Sequence, residues 1–217
     1  MILSQTKKLQ NFFAKGKVFD YKKGETILRS GDMPQGVFLI KKGYVKDYSI
    51  SKDGEELTLI IFKPDDFFPM QWVFNNRQNY HYFVAMSAVE LWRVSKDEFI
   101  SYIEANPDLF FELTSHIVLR LGGIMQRMEY LAFGNAYEKV ASILAICAER
   151  FGKTEKDGVA IQVPFTHKDI ANLLGITRET VSVEIKKLER KGIIAKSGQL
   201  LIIKDIRRLE LESLLDR

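Results

Sequence analysis

The chain has 217 residues, 46% of them hydrophobic and 28% charged, with a formal net charge of +4. That balance supports one large buried core or two smaller ones and excludes a disordered or fibrous chain. No apolar run approaches the roughly 18 residues that a bilayer span needs. The start, Met1 to Lys8, lacks a continuous apolar leader core, so the expected setting is the cytoplasm, with no membrane partner.

Residues 16 to 95 are short apolar runs punctuated by glycine at Gly24, Gly31, Gly36, Gly43 and Gly54. Val37 to Ile40, Tyr44 to Ile50 and Leu57 to Phe62 are rich in β-branched and aromatic residues and read as strands. Strands at about 8 to 12 residue spacing with turn signals between them predict a sandwich or roll. From Ser95 the pattern becomes helical. Lys96 to Ala105 forms one piece, and Pro107, well placed in a first turn, opens another that runs to about Tyr130. Its apolar residues Leu109, Leu113, Ile117, Leu121, Ile124, Met128 and Leu131 recur at three and four residue steps. Such a stripe is either buried against the β domain or forms a dimer seam, and the heptad-like run 117, 121, 124, 128, 131 favours the seam. Gly122-Gly123 weakens the helix locally or permits close backbone approach. Phe133-Gly134-Asn135-Ala136 breaks it, as a candidate hinge, before a further helix from Tyr137 to Phe151. Cys147, the single cysteine, lies in the apolar run Ile143 to Ala148 and reads as a small buried hydrophobe rather than a reactive thiol.

The basic excess is local. Residues 161 to 208 carry ten Lys and Arg against five Asp and Glu, which is more than the whole net charge of the chain. Within this segment Thr166-His167-Lys168-Asp169 has the form of a capping box ahead of Ile170, Ala171, Leu173 and Leu174. Gly175 ends that helix, and Thr177 caps a second one with Val181, Ile185 and Leu188 on its inner face. A helix, a three-residue turn and a second helix is the architecture that places its second helix in the major groove. Ala171, Gly175 and Val181 fit the steep crossing, which needs small residues at the contact and glycine at the turn. After Gly192, Ile193 to Lys196 and Leu200 to Ile203 flank Ser197-Gly198-Gln199 and predict a β-hairpin wing.

The outer face of the second helix offers Arg178, Glu179, Ser182, Val183, Lys186, Lys187 and Arg190. It is either a solvated helix face or a reading face. Arginine donates two hydrogen bonds to guanine, glutamate accepts from the cytosine amino group, and serine does either. The later lysines and arginine suit phosphates, and Thr166, His167, Lys168 and Thr177 stand at the helix starts beside them.

The order of β-roll, long helix, hinge and winged helix resembles the Crp/Fnr superfamily of bacterial transcription regulators over nearly the whole chain. The local matches are Leu131-Ala132-Phe133 and Thr177-Arg178-Glu179-Thr180-Val181-Ser182. The resemblance implies an α+β fold of an antiparallel, jelly-roll-like β-roll (1–106), a long dimerisation helix (107–133) and a winged helix-turn-helix (134–217). It also implies a homodimer on an inverted repeat of double-stranded DNA, with RNA polymerase as a further partner of an activator, and base or phosphate contacts for Arg178, Glu179 and Ser182. Where many members carry an arginine after the position of Ser182, this chain has Val183, which offers only apolar contact.

The effector region departs further. Cyclic-AMP-binding members resemble one another in a Gly-Glu pair and, about ten residues later, an Arg-Ser pair. Here the stretches are Asp66 to Gln71 and Asn79 to Tyr82, and neither pair is present. A buried phosphate without a cationic partner is disfavoured, and so is cyclic AMP. One cysteine excludes a cysteine-ligated iron–sulfur cluster. His81, His116, Met70 and Met86 are axial-ligand types for haem, but packing explains each, so no cofactor and no metal is expected. The aromatic set including Phe68, Met70, Trp72, Tyr80 and Tyr82, with Ile124 and Met125 on the long helix, is either the core of a roll that has lost its ligand or a pocket for an apolar effector. No catalytic residues are assigned, because the β zone holds one histidine where a metal-dependent barrel enzyme needs converging ligands. The remaining alternative is a ligand-binding or protein-interaction module whose winged helix contacts protein, against which the local basic excess argues.

Overall fold

The structure, a computed structural model, describes residues 2–215 and the side chains of residues 7–215. The elements run α1 (Ile2–Phe13), β1 (Lys17–Tyr21), β2 (Thr26–Leu28), β3 (Val37–Lys42), β4 (Val45–Ile50), β5 (Glu56–Phe62), β6 (Phe67–Phe68), α2 (Met70–Asn75), β7 (Tyr82–Ala85), β8 (Val89–Val94), α3 (Lys96–Glu104) and α4 (Pro107–Phe133). They continue as α5 (Ala136–Phe151), β9 (Gly152–Glu155), β10 (Gly158–Ile161), α6 (His167–Leu174), α7 (Arg178–Arg190), β11 (Ile194–Ser197), β12 (Leu200–Ile203) and α8 (Ile206–Leu211). Two compact units result, one of residues 1–50 and 59–121, the other of residues 51–58 and 122–217.

The first unit is the expected roll. One four-stranded sheet has the order β1-β8-β3-β6 and the other β2-β7-β4-β5. In the first, β8 pairs antiparallel with both β1 and β3; in the second, β7 pairs antiparallel with both β2 and β4. Two apolar clusters fill it. Leu39, Phe67, Phe99, Ile103, Leu109 and Leu113 belong to one, which joins the first sheet to α3 and the start of α4. The other is aromatic: Phe68 stacks on Phe83 with ring centroids 4.9 Å apart and on Phe38 at 5.4 Å, and Phe62 lies 5.5 Å from it. Sequence periodicity misses α2, a six-residue helix inside the aromatic stretch, because its side chains divide between the cluster and solvent without a helical repeat.

At Ser95 the side chain accepts from the Glu98 N–H and Glu98 reaches back, a capping box that starts α3. Helix α4 passes through Gly122 and Gly123 unbroken, and among the described residues nothing lies close enough to either to require glycine. Arg120 on α4 donates to Asp66 and lies over the Phe62 ring, which ties the helix start to the roll.

In the second unit, Asn135 caps α5 by accepting from the N–H groups of Tyr137 and Glu138. Val140, Ala141, Leu144 and Ala148 of that helix are buried, and α6, α7 and α8 pack around it. The wing strands belong to a four-stranded sheet of order β11-β12-β10-β9. Its β9–β10 hairpin is hidden in the sequence, because Gly152 to Glu155 is wholly exposed and carries no apolar alternation. Residues 51–58 join this unit through Asn172, which donates to Glu56 at 2.9 Å, and through Arg127, whose guanidinium donates to the carbonyls of Thr58 and Leu173.

Candidate nucleic-acid interface

Each helix of the pair is started by its own side chains. The Thr166 hydroxyl accepts from the Asp169 N–H at 3.1 Å while an Asp169 carboxylate oxygen accepts from the Thr166 N–H at 2.9 Å, the capping box expected from the sequence. Gly175 takes φ +63°, and its N–H returns to the Ala171 carbonyl. Among the described residues an added Cβ there would meet only Leu57, at 3.9 Å, so it is the left-handed backbone that calls for glycine. Thr177 then accepts from the Thr180 N–H at 3.1 Å and starts α7. Ile170, Ala171, Leu174, Val181, Ile185 and Leu188 are all buried at or below 4% exposure, so the two helices lock into one rigid piece.

The opposite face of α7 is open. Arg178, Glu179, Val183, Lys186 and Arg190 are exposed and Ser182 is half-buried, so six of the seven side chains proposed from the sequence share one surface. Lys187 departs from the row. Its ammonium lies 2.7 Å from Glu184, a carboxylate whose side chain is 9% exposed, and faces the Tyr137 ring on α5. Thr166 and Thr177 use their hydroxyls within the helix caps, and Lys168 is exposed beside them. His167 touches the reading face directly, its Nδ1 2.7 Å from Ser182 Oγ. Burial holds its pKa below the usual histidine range; Lys196 and Arg178, and more weakly Lys186, push the same way against Glu189. Lys196 on the wing strand β11 thus belongs to the basic cluster. Sequence reasoning missed it; the signal was a lysine in a hairpin adjoining a basic helix.

Of the residues set aside for an effector pocket, the five that belong to the roll do not line one common space. Phe68 is fully buried among Phe38, Phe62 and Phe83, whereas Met70 and Trp72 pack against the other cluster. Tyr80 is 66% exposed, and Tyr82 stacks on Tyr48 with centroids 5.3 Å apart. Ile124 and Met125 are exposed on α4. Phe68 and Tyr82 spend their ring faces on other aromatic rings. Nothing in the residue pattern singles out Asp47, a carboxylate only 6% exposed on β4, whose Oδ1 lies 3.1 Å from His81 Nδ1. Among the described residues no group of three or more His, Cys, Asp or Glu is placed to hold a metal ion.

Comparison with known proteins agrees with this architecture. The family model for a cyclic nucleotide-binding domain matches residues 18–106 and that for a Crp-like helix-turn-helix domain matches residues 138–212. The cAMP-activated global transcriptional regulator CRP of Pasteurella multocida is 26% identical over 197 residues, 90% of this chain and 93% of that protein. The CRP-like cAMP-activated global transcriptional regulator of Mycobacterium tuberculosis is 27% identical over 190 residues, 88% and 85% of the two chains. Among solved structures, FixK2 from Bradyrhizobium japonicum superposes with a TM-score of 0.80 at 21% identity, covering 93% of this chain and 99% of that one. A CRP/FNR family transcriptional regulator from Thermus thermophilus gives 0.72 at 24% identity, covering 90% and 97%. With a cyclic nucleotide-binding domain and a Crp-like helix-turn-helix domain matched one after the other, and relatives aligned over about nine-tenths of its length, the chain belongs to the Crp/Fnr superfamily of transcription regulators.

Proposed function

We propose that this protein regulates transcription by binding an inverted repeat in double-stranded DNA as a homodimer, with α7 of each protomer in the major groove. The observation that carries this reading is the row of Arg178, Glu179, Ser182, Val183 and Lys186 on the open face of a helix whose other face is locked against α6. Arg178, Glu179, Ser182 and Val183 meet base edges; Lys168, Lys186, Arg190 and the wing Lys196 meet phosphates. Lys187 is left out because it serves Glu184. The chain is a regulator and not an enzyme, as its relatives are, and its place of action is the cytoplasm; among the described residues no helix is long and apolar enough to cross a membrane. As an activator it would also contact RNA polymerase.

Helix α4 supplies the dimer seam. Ile117, Leu121, Ile124 and Met128 are 41% to 66% exposed and share one stripe. Replacing Leu121 and Met128 by glutamate tests this. The expected result is a monomer by analytical ultracentrifugation that loses cooperative binding to the inverted repeat; a stable dimer would refute the seam.

The roll does not suit a cyclic nucleotide. Phe38, Phe62, Phe68 and Phe83 occupy its interior in mutual contact, and the buried charge nearest Phe83 in the β4–β7 register is the Asp47 carboxylate, which repels a phosphate. Any effector of this protein is therefore not cyclic AMP. Isothermal titration with cyclic AMP is expected to show no heat of binding, and saturable binding would overturn the argument.

A further inference from the structure

Ser182 is not free to present its hydroxyl in either sense. Its Oγ lies 2.7 Å from Nδ1 of His167, which reaches it from the first turn of α6. A hydroxyl carries one proton and two lone pairs, and an imidazole nitrogen either donates or accepts. The state of Nδ1 therefore decides what Ser182 can offer a base. With Nδ1 unprotonated, the Ser182 proton is used on the ring and Oγ is left as an acceptor, which suits the amino groups of cytosine and adenine. With Nδ1 protonated, Oγ accepts from His167 and its own O–H is released toward guanine O6 or N7, adenine N7 or thymine O4.

The charged groups whose fields act on the ring are Arg178, Lys186 and Glu189 from α7 and Lys196 from β11. In the free protein, burial and the three cations oppose the imidazolium, and Glu189 favours it. The same cations draw a backbone phosphate to this point, and its charge reverses the balance. A neutral ring that donates to the phosphate through Nε2 leaves Nδ1 as the acceptor, and a protonated ring donates from both nitrogens.

We propose that His167 is a positioning residue for the Ser182 base contact, and that its protonation on DNA switches Ser182 from reading a donor to reading an acceptor on the facing base. The inference rests on the reading of α7 as the groove-inserted helix. Because the phosphate raises the pKa of His167 in the complex above its depressed value in the free protein, the gain in affinity is complete below the free value. It is lost as pH rises through the bound value, with a slope of at most about tenfold per pH unit for one proton.

The test is fluorescence anisotropy with four duplexes that differ only at the base pair facing Ser182, at about pH 5.5 and about pH 8, either side of the ordinary histidine range. The proteins are wild type, His167→Asn and Ser182→Ala. Asparagine places an amide close to the position of Nδ1 and does not titrate. Wild type is expected to change its preferred base between the two pH values, with relative affinities shifting several-fold. His167→Asn should bind specifically with one preference at both, and Ser182→Ala should lose discrimination at that pair alone. An unchanged wild-type preference, or an Asn variant that keeps the wild-type pH response, overturns the proposal. A Ser182→Ala protein that discriminates as well as wild type removes the Ser182 base contact and with it the role of His167, whereas the underlying reading of α7 fails separately if Arg178→Ala and Glu179→Ala also leave base discrimination unchanged at every position.

Discussion

Replacing Asp47 by asparagine removes a carboxylate that the roll encloses at 6% exposure, opposite Phe83 on β7 and paired with His81 at 3.1 Å. Burial pushes this carboxyl from 3.8 up to about 6, with the attraction and hydrogen bond of His81 pulling it down. The folded protein therefore holds the proton more tightly than the unfolded chain does. The stability this confers is fully present below the unfolded value, near pH 4, and is lost as pH rises through about 6. A shift of about two pH units corresponds to about 3 kcal/mol. Urea unfolding of wild type and Asp47→Asn at half-unit steps from about pH 4 to about pH 7.5 reads this out directly. The difference between the two should move by about 3 kcal/mol in favour of the asparagine variant as pH rises, with most of the change between the two pKa values. His81→Gln, which removes the partner, should push the transition to higher pH. A difference that stays constant over the range would refute the assignment of Asp47 as a carboxyl whose hold on its proton burial strengthens.

Arg178→Ala and Glu179→Ala should each cost roughly 1–3 kcal/mol of operator affinity and relax one base position, measured by competition with single-substitution duplexes. Lys186→Ala should weaken all sequences alike and lower the slope of affinity against salt by about one. Lys187→Ala should instead lower the unfolding midpoint with little change in that slope, because it leaves Glu184 buried without its ammonium partner. Phe68→Ala, which empties the centre of the aromatic cluster, should destabilise the roll by about 3–5 kcal/mol in chemical unfolding. Cys147 is buried and its thiol is pushed up to about 12, so it should resist iodoacetamide at mildly alkaline pH and react only as fast as the domain unfolds.

Much of this architecture could be read from the residues. The Thr166–Asp169 capping box, Gly175 and the Val181, Ile185, Leu188 stripe are local signals with local causes, and the structure places them as the periodicity demands. The strands and the long helix were legible for the same reason, since two-residue and 3.6-residue repeats survive in any context that buries one face. What stayed hidden depends on tertiary neighbours. Lys187 falls in the same run of charges as Lys186; its i,i+3 spacing from Glu184 is local, but the burial of that carboxylate and the approach of the Tyr137 ring on α5 come only from packing. The aromatic residues of the roll read equally as pocket or core until the rings are seen in contact. Asp47, flanked by Lys46 and Tyr48, looks like an ordinary solvated strand residue, and its burial follows from the partner strand. The contact from His167 to Ser182 spans fifteen residues and has no signature in spacing.

The central claim is tested most directly by selecting bound duplexes from a random pool with the purified protein at fixed salt. The expected result is an inverted repeat with half-sites about one helical turn apart, in which the base pair facing Val183 lacks the guanine preference that an arginine there would impose. Absence of any enriched sequence, or enrichment of a single unpaired half-site by a protein that is dimeric in solution, would contradict it.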